Sequence, residues 1–240
     1  MTSVDLLAAF AHPDDAELLV GGTLARAHDQ GHRTGIRDLT RGEMGSKGTP
    51  ELRADEAARA AEILGVAERH TAGLPDGHLQ NSDAMRRVVV EWLRRLRPRT
   101  VLLPFPVGRH PDHRIASELI RDACFLSGLR NYPAEGEPYK PVKLCYALAY
   151  REDPVAPTFV VDTTLGFDRK LAAMRCFASQ WDESTIQGGE LYPNGQPIFD
   201  LVRTQDARAG TLIRCAYGEP FWTSETMRVE DVMAVAGASL

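Results

Sequence analysis

The sequence from residue 4 to residue 15 reads Val4-Asp5-Leu6-Leu7-Ala8-Ala9-Phe10-Ala11-His12-Pro13-Asp14-Asp15. Its first part is a short, mainly apolar run that predicts a buried strand, and its end brings a histidine and two carboxylates together. A second run, residues 100–104, predicts another strand and leads to His110-Pro111-Asp112-His113. Ligand sites in wound α/β sheets lie at the carboxyl ends of strands. We therefore expect both histidine motifs to face one pocket.

Strands and helices alternate along the chain. Further strands are predicted over 34–40, 66–71, 142–150 and 159–162. Helices are predicted over 17–30, from Thr49 or Pro50 to Leu64, from Ser82 or Asp83 to before Pro98, from Thr163 or Thr164 to Trp181, and over 198–215. This alternation predicts an α/β fold with a mostly parallel sheet flanked by helices, in a single domain over residues 1–240.

The composition is ordinary for a globular protein, with 43% hydrophobic and 25% charged residues in a chain of 240. A net charge of −5 gives no basic field for a phosphate backbone, so no nucleic-acid partner is expected. The arginines at 94, 95, 97 and 99 are interpreted as a solvated helix end. No apolar run approaches the roughly 20 residues that span a bilayer, and the first residues lack a signal-peptide pattern. We expect a cytoplasmic protein with no membrane partner.

The histidine motifs supply the ligand types of a metal site. His12, Asp15 and His113 offer two imidazoles and one carboxylate, which hold a divalent cation such as zinc and leave a coordination position open. Asp14 points away from its neighbour Asp15, so it is free to act as a general base towards a water molecule. This set predicts a metal-dependent hydrolase.

The second motif adds two further candidates for catalysis. His110 and His113 lie three residues apart, so both face the same pocket, where His110 can stabilise an oxyanion or a leaving nitrogen. Asp112 is expected to orient the His110 imidazole and to favour its charged form. A purely structural alternative is that Asp14 or Asp15 caps one helix and Asp112 caps the next.

Three other polar residues are weaker candidates for the site. Arg53 and Glu56 share one helix, and a salt-bridged surface pair is their default explanation. Arg109 precedes His110, where a guanidinium can bind a substrate carboxylate with two hydrogen bonds. His78 follows a turn and is expected to be solvated.

At these residues the sequence resembles the zinc-dependent N-acetylglucosaminyl deacetylases, which include the phosphatidylinositol-glycan, mycothiol and bacillithiol enzymes. The resemblance rests on residues 11–17 with Gly21-Gly22-Thr23, and on His110-Pro111-Asp112-His113. Further stretches resemble the bacillithiol branch, whose enzyme deacetylates N-acetylglucosaminyl-malate; these are residues 38–43, 48–49, 51–53, 74–77 and 177–180.

The resemblance implies a Rossmann-like domain with one zinc ion per chain on His12, Asp15 and His113. The same ligand set also suits ferrous iron in the cell. It also implies Asp14 as the base and His110, supported by Asp112, at the oxyanion. Substrate-binding residues would be Arg53, Arg109 and Glu56, and bacillithiol-branch relatives suggest a homo-oligomer, in particular a hexamer. One departure is Lys140, where relatives tend to carry an arginine near the catalytic carboxylate.

Other interpretations remain open at this stage. The substrate can instead be diacetylchitobiose or another N-acetylglucosamine conjugate. The group attached to the sugar would then be recognised by loops 41–48, 131–140 and 183–197. Two histidines and a carboxylate also form the metal site of non-haem iron oxygenases, although helix-rich alternation disfavours their β-helical fold. A metal- or sugar-binding protein without catalysis is a third interpretation.

Overall fold

The computed structural model of the protein describes residues 3–150, 155–181, 197–226, 228–231 and 233. The strands are β1 (Leu6–Phe10), β2 (Thr34–Asp38), β3 (Glu68–Thr71), β4 (Thr100–Pro104), β5 (Lys143–Ala147), β6 (Phe159–Asp162) and β7 (Gly218–Trp222). The helices are α1 (Asp15–Asp29), α2 (Pro50–Leu64), α3 (Asp83–Leu96), α4 (Pro111–Leu126), α5 (Phe167–Cys176), α6 (Ala178–Trp181) and α7 (Ile198–Thr211), and a 3₁₀ turn covers Thr164–Gly166.

These strands form one sheet in the order β3-β2-β1-β4-β5-β7-β6. Strands β1 to β5 run parallel, whereas β7 is antiparallel to both β5 and β6. The winding direction reverses between β1 and β4, which makes the gap between their carboxyl ends the topological switch point of the sheet. The predicted α/β fold with a mostly parallel sheet is confirmed.

Helices cover both faces of the sheet because the strands are apolar on both sides. In β1, Leu7 and Ala9 pack with side chains of α3 and α4, while Ala8 and Phe10 pack with side chains of α1 and α2. Successive side chains of a strand point to opposite faces, so a continuous apolar run needs a helix layer on each. This explains why the run before His12 is buried on both sides.

Local signals set the helix boundaries of the first half. Thr49 caps α2, since its hydroxyl accepts a hydrogen bond from the Leu52 amide at 3.2 Å, and Pro50 occupies the first turn. Gly65 ends the helix with φ of 73°, in the left-handed region that favours glycine. Ser82 caps α3 in the same way. The predicted starts of both helices are confirmed.

The second half differs from the prediction in two elements. The helix expected to run to Trp181 is broken at Phe177, a fully buried residue between α5 and α6. Strand β7 was not predicted, because a five-residue segment with Gly218, Glu219 and Pro220 carries little intrinsic strand signal. It is a strand because β5 and β6 pair with it. Most of the expected substrate loop 183–197 lies outside the described residues.

The interpretation of the arginines near residue 95 as a solvated end is wrong for Arg94. This side chain is only 4% exposed, and its guanidinium donates hydrogen bonds to the carbonyl oxygens of Ser127, Leu129 and Ala134. A buried guanidinium needs such acceptors to offset its lost hydration. Arg94 thus holds the segment that follows α4.

A buried polar cluster joins the second half of the chain to α1. The Lys170 ammonium lies 2.7 Å from Asp206 Oδ2 and 2.8 Å from Glu219 Oε1, and all three residues are fully buried. The Glu219 carboxylate also accepts hydrogen bonds from the amides of Gly22 and Thr23 in α1. Gly22 is required there, since an added Cβ would lie 2.7 Å from Thr163 Cβ. The cluster fixes α1, α5, α7 and β7 to one another.

Within the part of the chain that the structure describes, no helix is both long and apolar enough to cross a membrane. The four cysteines are free thiols, of which Cys124 and Cys145 are buried and Cys176 and Cys215 are half-buried.

Candidate metal centre

The two histidine motifs meet at the switch point of the sheet. His12 follows β1 and precedes α1, whereas His110 is the N-cap of α4, after β4. The His110 ring centroid lies 4.8 Å from that of His12 and 4.8 Å from that of His113. The prediction that both motifs share one pocket is confirmed.

Three potential ligand atoms converge in this pocket. His12 Nδ1 lies 3.3 Å from His113 Nε2 and 3.4 Å from Asp15 Oδ2, and His113 Nε2 lies 3.2 Å from Asp15 Oδ1. Ligands about 2.0–2.1 Å from a tetrahedral zinc ion are roughly 3.3 Å apart. The donor set and its spacing therefore fit a small divalent cation, and the predicted group His12, Asp15 and His113 forms a candidate metal site.

The other ring nitrogen of His12 faces two carboxylates. Its Nε2 lies 3.1 Å from Asp76 Oδ1 and 3.5 Å from Asp112 Oδ2. Asp76 was not predicted as a site residue, because it stands in the turn Leu74-Pro75-Asp76-Gly77. Asp76 follows β3 and lies at the same edge of the sheet as the histidines, and this position is the signal by which it could have been found.

This acidic surrounding changes the titration of the metal-free site. Burial by itself lowers the pKa of His12, but hydrogen bonds with Asp15 and Asp76 and the charges of Asp15 and Asp14 raise it to about 11. Burial alone would raise the pKa values of Asp15 and Asp76, yet contact with the histidines holds both well below their usual range. Without metal, a proton on His12 therefore balances the carboxylates.

Asp14 adopts a strained backbone conformation beside the metal site. Its φ of 113° lies in the left-handed region, which costs a residue with a side chain roughly 1–3 kcal/mol. Its side chain makes no cap hydrogen bond to α1, so the structural alternative of capping does not hold for this residue. Burial raises the pKa of Asp14 to about 7, with a further increase from Asp15, while Arg53 opposes the rise.

Arg53 is the cationic partner of Asp14. Its Nη2 lies 3.2 Å from Asp14 Oδ2, and its guanidinium also donates to the carbonyl oxygens of Pro13 and Gly42. Gly42 has to be glycine, because an added Cβ would lie 2.0 Å from Arg53 Nη1. With both Nη atoms engaged by the protein, Arg53 positions the predicted base more directly than it can read a distant substrate group.

The explanation of Arg53 and Glu56 as a salt-bridged surface pair is wrong. Both side chains are buried, and the Glu56 carboxylate instead accepts hydrogen bonds from the backbone amide and the hydroxyl of Ser179. Gln180 in turn donates to the carbonyl oxygen of Lys47. Residues 177–180 thus contact loop 41–48 through Gln180, and the hydrogen bonds of Ser179 with Glu56 hold these residues in position. A direct contact of Glu56 with substrate remains a prediction.

Asp112 contacts His110 through its backbone amide, and its carboxylate charge opposes the lowering of the His110 pKa without reversing it. The Asp112 backbone amide, not its carboxylate, donates to His110 Nδ1 at 3.2 Å. The carboxylate accepts a hydrogen bond from the Gly77 amide at 2.7 Å. Burial and the neighbouring His113 and His12 lower the pKa of His110, so its imidazole is neutral at pH 7. With Nδ1 accepting, His110 carries its proton on Nε2 and can donate it towards the pocket.

The remaining predicted residues lie at different distances from the site. Arg109 is exposed and adjoins His110, and His78 is exposed as expected. Lys140, by contrast, is not near Asp14: its ammonium lies 5.0 Å from the Phe125 ring, in the last turn of α4. The first turn of that helix adjoins the site, about 20 Å away at 1.5 Å per residue. Lys140 therefore does not lie beside Asp14, in contrast to the position that the resemblance implies for it.

Comparison with known proteins agrees with this site. The family model described as PIG-L, GlcNAc-PI de-N-acetylase, matches residues 7–124, which include both histidine motifs. The chain is 31% identical to a diacetylchitobiose deacetylase of Thermococcus kodakarensis, over 75% of this chain and 72% of the relative. It is 29% identical to a 1D-myo-inositol 2-acetamido-2-deoxy-α-D-glucopyranoside deacetylase of Rhodococcus jostii, over 62% of each. A probable N-acetyl-α-D-glucosaminyl L-malate deacetylase of Bacillus cereus is 25% identical, over 73% of this chain and 83% of the relative.

Solved structures match nearly the whole chain. A conserved protein of Thermus thermophilus is 41% identical with a TM-score of 0.83, over 95% of this chain and 98% of the other. A 4-carboxy-2-hydroxymuconate hydratase of Pseudomonas putida has a TM-score of 0.78 at 20% identity, over 97% and 100%. The second match shows the fold alone, so the reaction has to be argued from the site.

Proposed function

The chain belongs to the family of GlcNAc-PI de-N-acetylases, and we propose on that basis that it is a metal-dependent amidohydrolase that removes acetate from an N-acetylglucosaminyl conjugate. The observation that carries the proposal is the convergence of His12 Nδ1, Asp15 and His113 Nε2 within 3.4 Å, with Asp14 beside them. These three residues would hold the cation, which we propose is zinc. A bound divalent cation polarises the acetamide carbonyl and lowers the pKa of water.

The residues around the site supply the remaining steps. Asp14, held by Arg53, accepts the proton of the attacking water. His110 donates its Nε2–H to the carbonyl oxygen as that atom gains charge. The water oxygen bonds to the carbonyl carbon, and the proton held by Asp14 passes to the nitrogen as the C–N bond breaks, which releases acetate and a free glucosamine amine.

The aglycone is the finer part of the proposal. We infer N-acetylglucosaminyl-malate as the first candidate, since the exposed Arg109 beside His110 can bind a carboxylate at the rim. The likeness to the Bacillus cereus relative supports this candidate, whereas the Thermococcus relative supports diacetylchitobiose. Arg53 is buried, whereas Arg109 is exposed, so we assign the carboxylate of the substrate to Arg109.

Release of a primary amine tests activity and aglycone together. We expect zinc-loaded protein to release amine from the malate glycoside faster than from diacetylchitobiose or free N-acetylglucosamine. Arg109→Ala is expected to raise KM for the malate glycoside by about tenfold, the value of one lost charged hydrogen bond, and to leave KM for diacetylchitobiose unchanged. Faster release from diacetylchitobiose would keep the reaction and reject malate. No release from any conjugate, in protein shown to contain zinc, would reject the proposed activity.

Zinc affinity is expected to rise with pH. With its pKa raised to about 11, metal-free His12 is protonated from pH 6 to pH 8, and zinc has to displace that proton from Nδ1. For one displaced proton, the dissociation constant falls about tenfold for each unit that the pH rises. Chelator competition at pH 6, 7 and 8 measures this slope, with exposed His78→Ala as the control. Equal affinity at pH 6 and pH 8 would contradict the protonated state of His12.

A further inference from the structure

The two nitrogens of the His12 ring face different groups. Nδ1 lies within 3.4 Å of Asp15 and His113, whereas Nε2 lies 3.1 Å from Asp76 Oδ1. A neutral imidazole has one proton and one free lone pair, so it binds a metal through one nitrogen only. When Asp15 and His113 hold a metal, Nε2 is the nitrogen that still faces a free hydrogen-bond acceptor, the Asp76 carboxylate. The partner of Nε2 therefore decides which nitrogen of His12 is available to a metal.

His12 belongs to two groups of potential ligands. One consists of His12, Asp15 and His113, and the other of His12, His110 and Asp112. The second group contains Asp112 Oδ2, which lies 3.5 Å from His12 Nε2. A ring that donates through Nε2 to a carboxylate cannot also offer that atom to a metal. A choice between the two groups is thus a choice of His12 tautomer.

We propose that Asp76 is the positioning residue that keeps the proton on His12 Nε2, directs Nδ1 to the metal and so selects the His12, Asp15 and His113 site. This inference rests on the proposed function, because it assigns a role towards the metal of that site. A carboxylate behind a metal-bound histidine fixes the orientation and basicity of the ring. Asp76 is closer to Nε2 than Asp112 is, and it is only 6% exposed.

Asp76 is itself held in place by loop 41–48. Its Oδ2 accepts a hydrogen bond from the Met44 amide at 2.9 Å, and its own amide donates to Glu43 Oε1 at 3.0 Å. The next amide along the chain, that of Gly77, donates a hydrogen bond to Asp112 Oδ2 at 2.7 Å. Asp112 is thereby drawn towards the turn, and Asp76 Oδ1 is left for His12. The Asp76 carboxylate thus connects loop 41–48 to the metal site.

The dissociation constant for zinc, measured by chelator competition, tests the role of Asp76. We expect Asp76→Ala to weaken zinc binding by about 10- to 100-fold, the usual effect of removing the group behind a ligand. Asp76→Asn is expected to weaken it at least as much. Its oxygen can still accept from Met44, but its amide then faces Nε2 and favours the tautomer with the proton on Nδ1. Nitrogen-15 NMR of the His12 ring, recorded on zinc-loaded protein, reports which ring nitrogen keeps its proton.

Glu43→Ala is the matched control, since it releases the same turn from the loop and leaves the Asp76 carboxylate in place. Zinc binding within threefold of wild type in this variant, and loss in both Asp76 variants, supports the proposal. Equal loss in Glu43→Ala and Asp76→Ala overturns it, because loop order would then be the cause. Wild-type affinity in Asp76→Ala or an unchanged tautomer in Asp76→Asn also overturns it. If the wild-type protein binds no zinc, the metal of the proposed function fails as well.

Discussion

Replacement of Asp14 by asparagine is expected to lower kcat/KM for acetamide hydrolysis by roughly 10²- to 10⁴-fold, the usual contribution of a general base. Asparagine has nearly the same shape, and its oxygen can still accept from Arg53, which lies 3.2 Å from Asp14 Oδ2. It cannot take up a proton at neutral pH. Because Asp14 is not among the three ligands, the zinc content is expected to stay at one ion per chain.

Amine release and zinc content have to be measured on the same samples of this variant. Asp168→Asn is the control, since Asp168 is exposed in the first turn of α5, away from the site. Its activity is expected to equal that of the wild type. Near wild-type turnover of Asp14→Asn with full zinc content would remove Asp14 from the role of base. Loss of zinc together with activity would instead make Asp14 part of the metal site.

The first half of the fold was predictable because its signals are local. Apolar runs such as residues 6–10 mark the strands, and Thr49, Pro50 and Gly65 mark helix ends through their own backbone preferences. The residues of the candidate metal site were also predictable, since His12 and Asp15 stand in one motif and the parallel sheet brings His113 to the same edge. Such inferences need only spacing and topology.

The errors in side-chain pairing concern partners that are distant in the sequence. Arg53 shares a helix with Glu56, but it pairs with Asp14, which lies across the pocket. Asp76 stands in a turn whose composition predicts only a turn, and its contact with His12 exists only in the folded sheet. Lys140 lies at the far end of α4 from the site. A charged side chain has several potential partners along the sequence, so the burial and geometry of the folded protein decide which of them it contacts.

Strand β7 shows the same effect at the level of secondary structure. Glu219 is a poor residue for a buried strand, and nothing near it in the sequence neutralises its charge. In the folded protein it is fully buried, because Lys170 and the amides of Gly22 and Thr23 bind it. The stability of β7 therefore depends on the ammonium group of Lys170, which belongs to α5.

Lys170→Met is expected to lower the free energy of unfolding by about 3–5 kcal/mol, the cost of breaking a buried ion pair by removing one partner. Methionine fills a similar volume, but the carboxylates of Asp206 and Glu219 remain buried without their cation. For a chain of this size the melting temperature is expected to fall by roughly 10 °C. Urea and thermal unfolding measure both values. Lys143→Met, at an exposed position, is the control and is expected to change stability by less than about 0.5 kcal/mol.

The loss in Lys170→Met is expected to depend on pH. Burial already raises the pKa of Asp206 to about 6 although Lys170 opposes the rise, so removal of Lys170 raises it further. A carboxyl group whose pKa is higher in the folded state than in the unfolded state contributes to the free energy of unfolding at low pH. That contribution is lost as the pH rises through the pKa of the folded state. The free energy of unfolding of Lys170→Met is therefore closest to that of the wild type near pH 5 and furthest from it near pH 8. A loss that is the same at both pH values, or below 1 kcal/mol, would show that the two carboxylates do not depend on Lys170 for their charge.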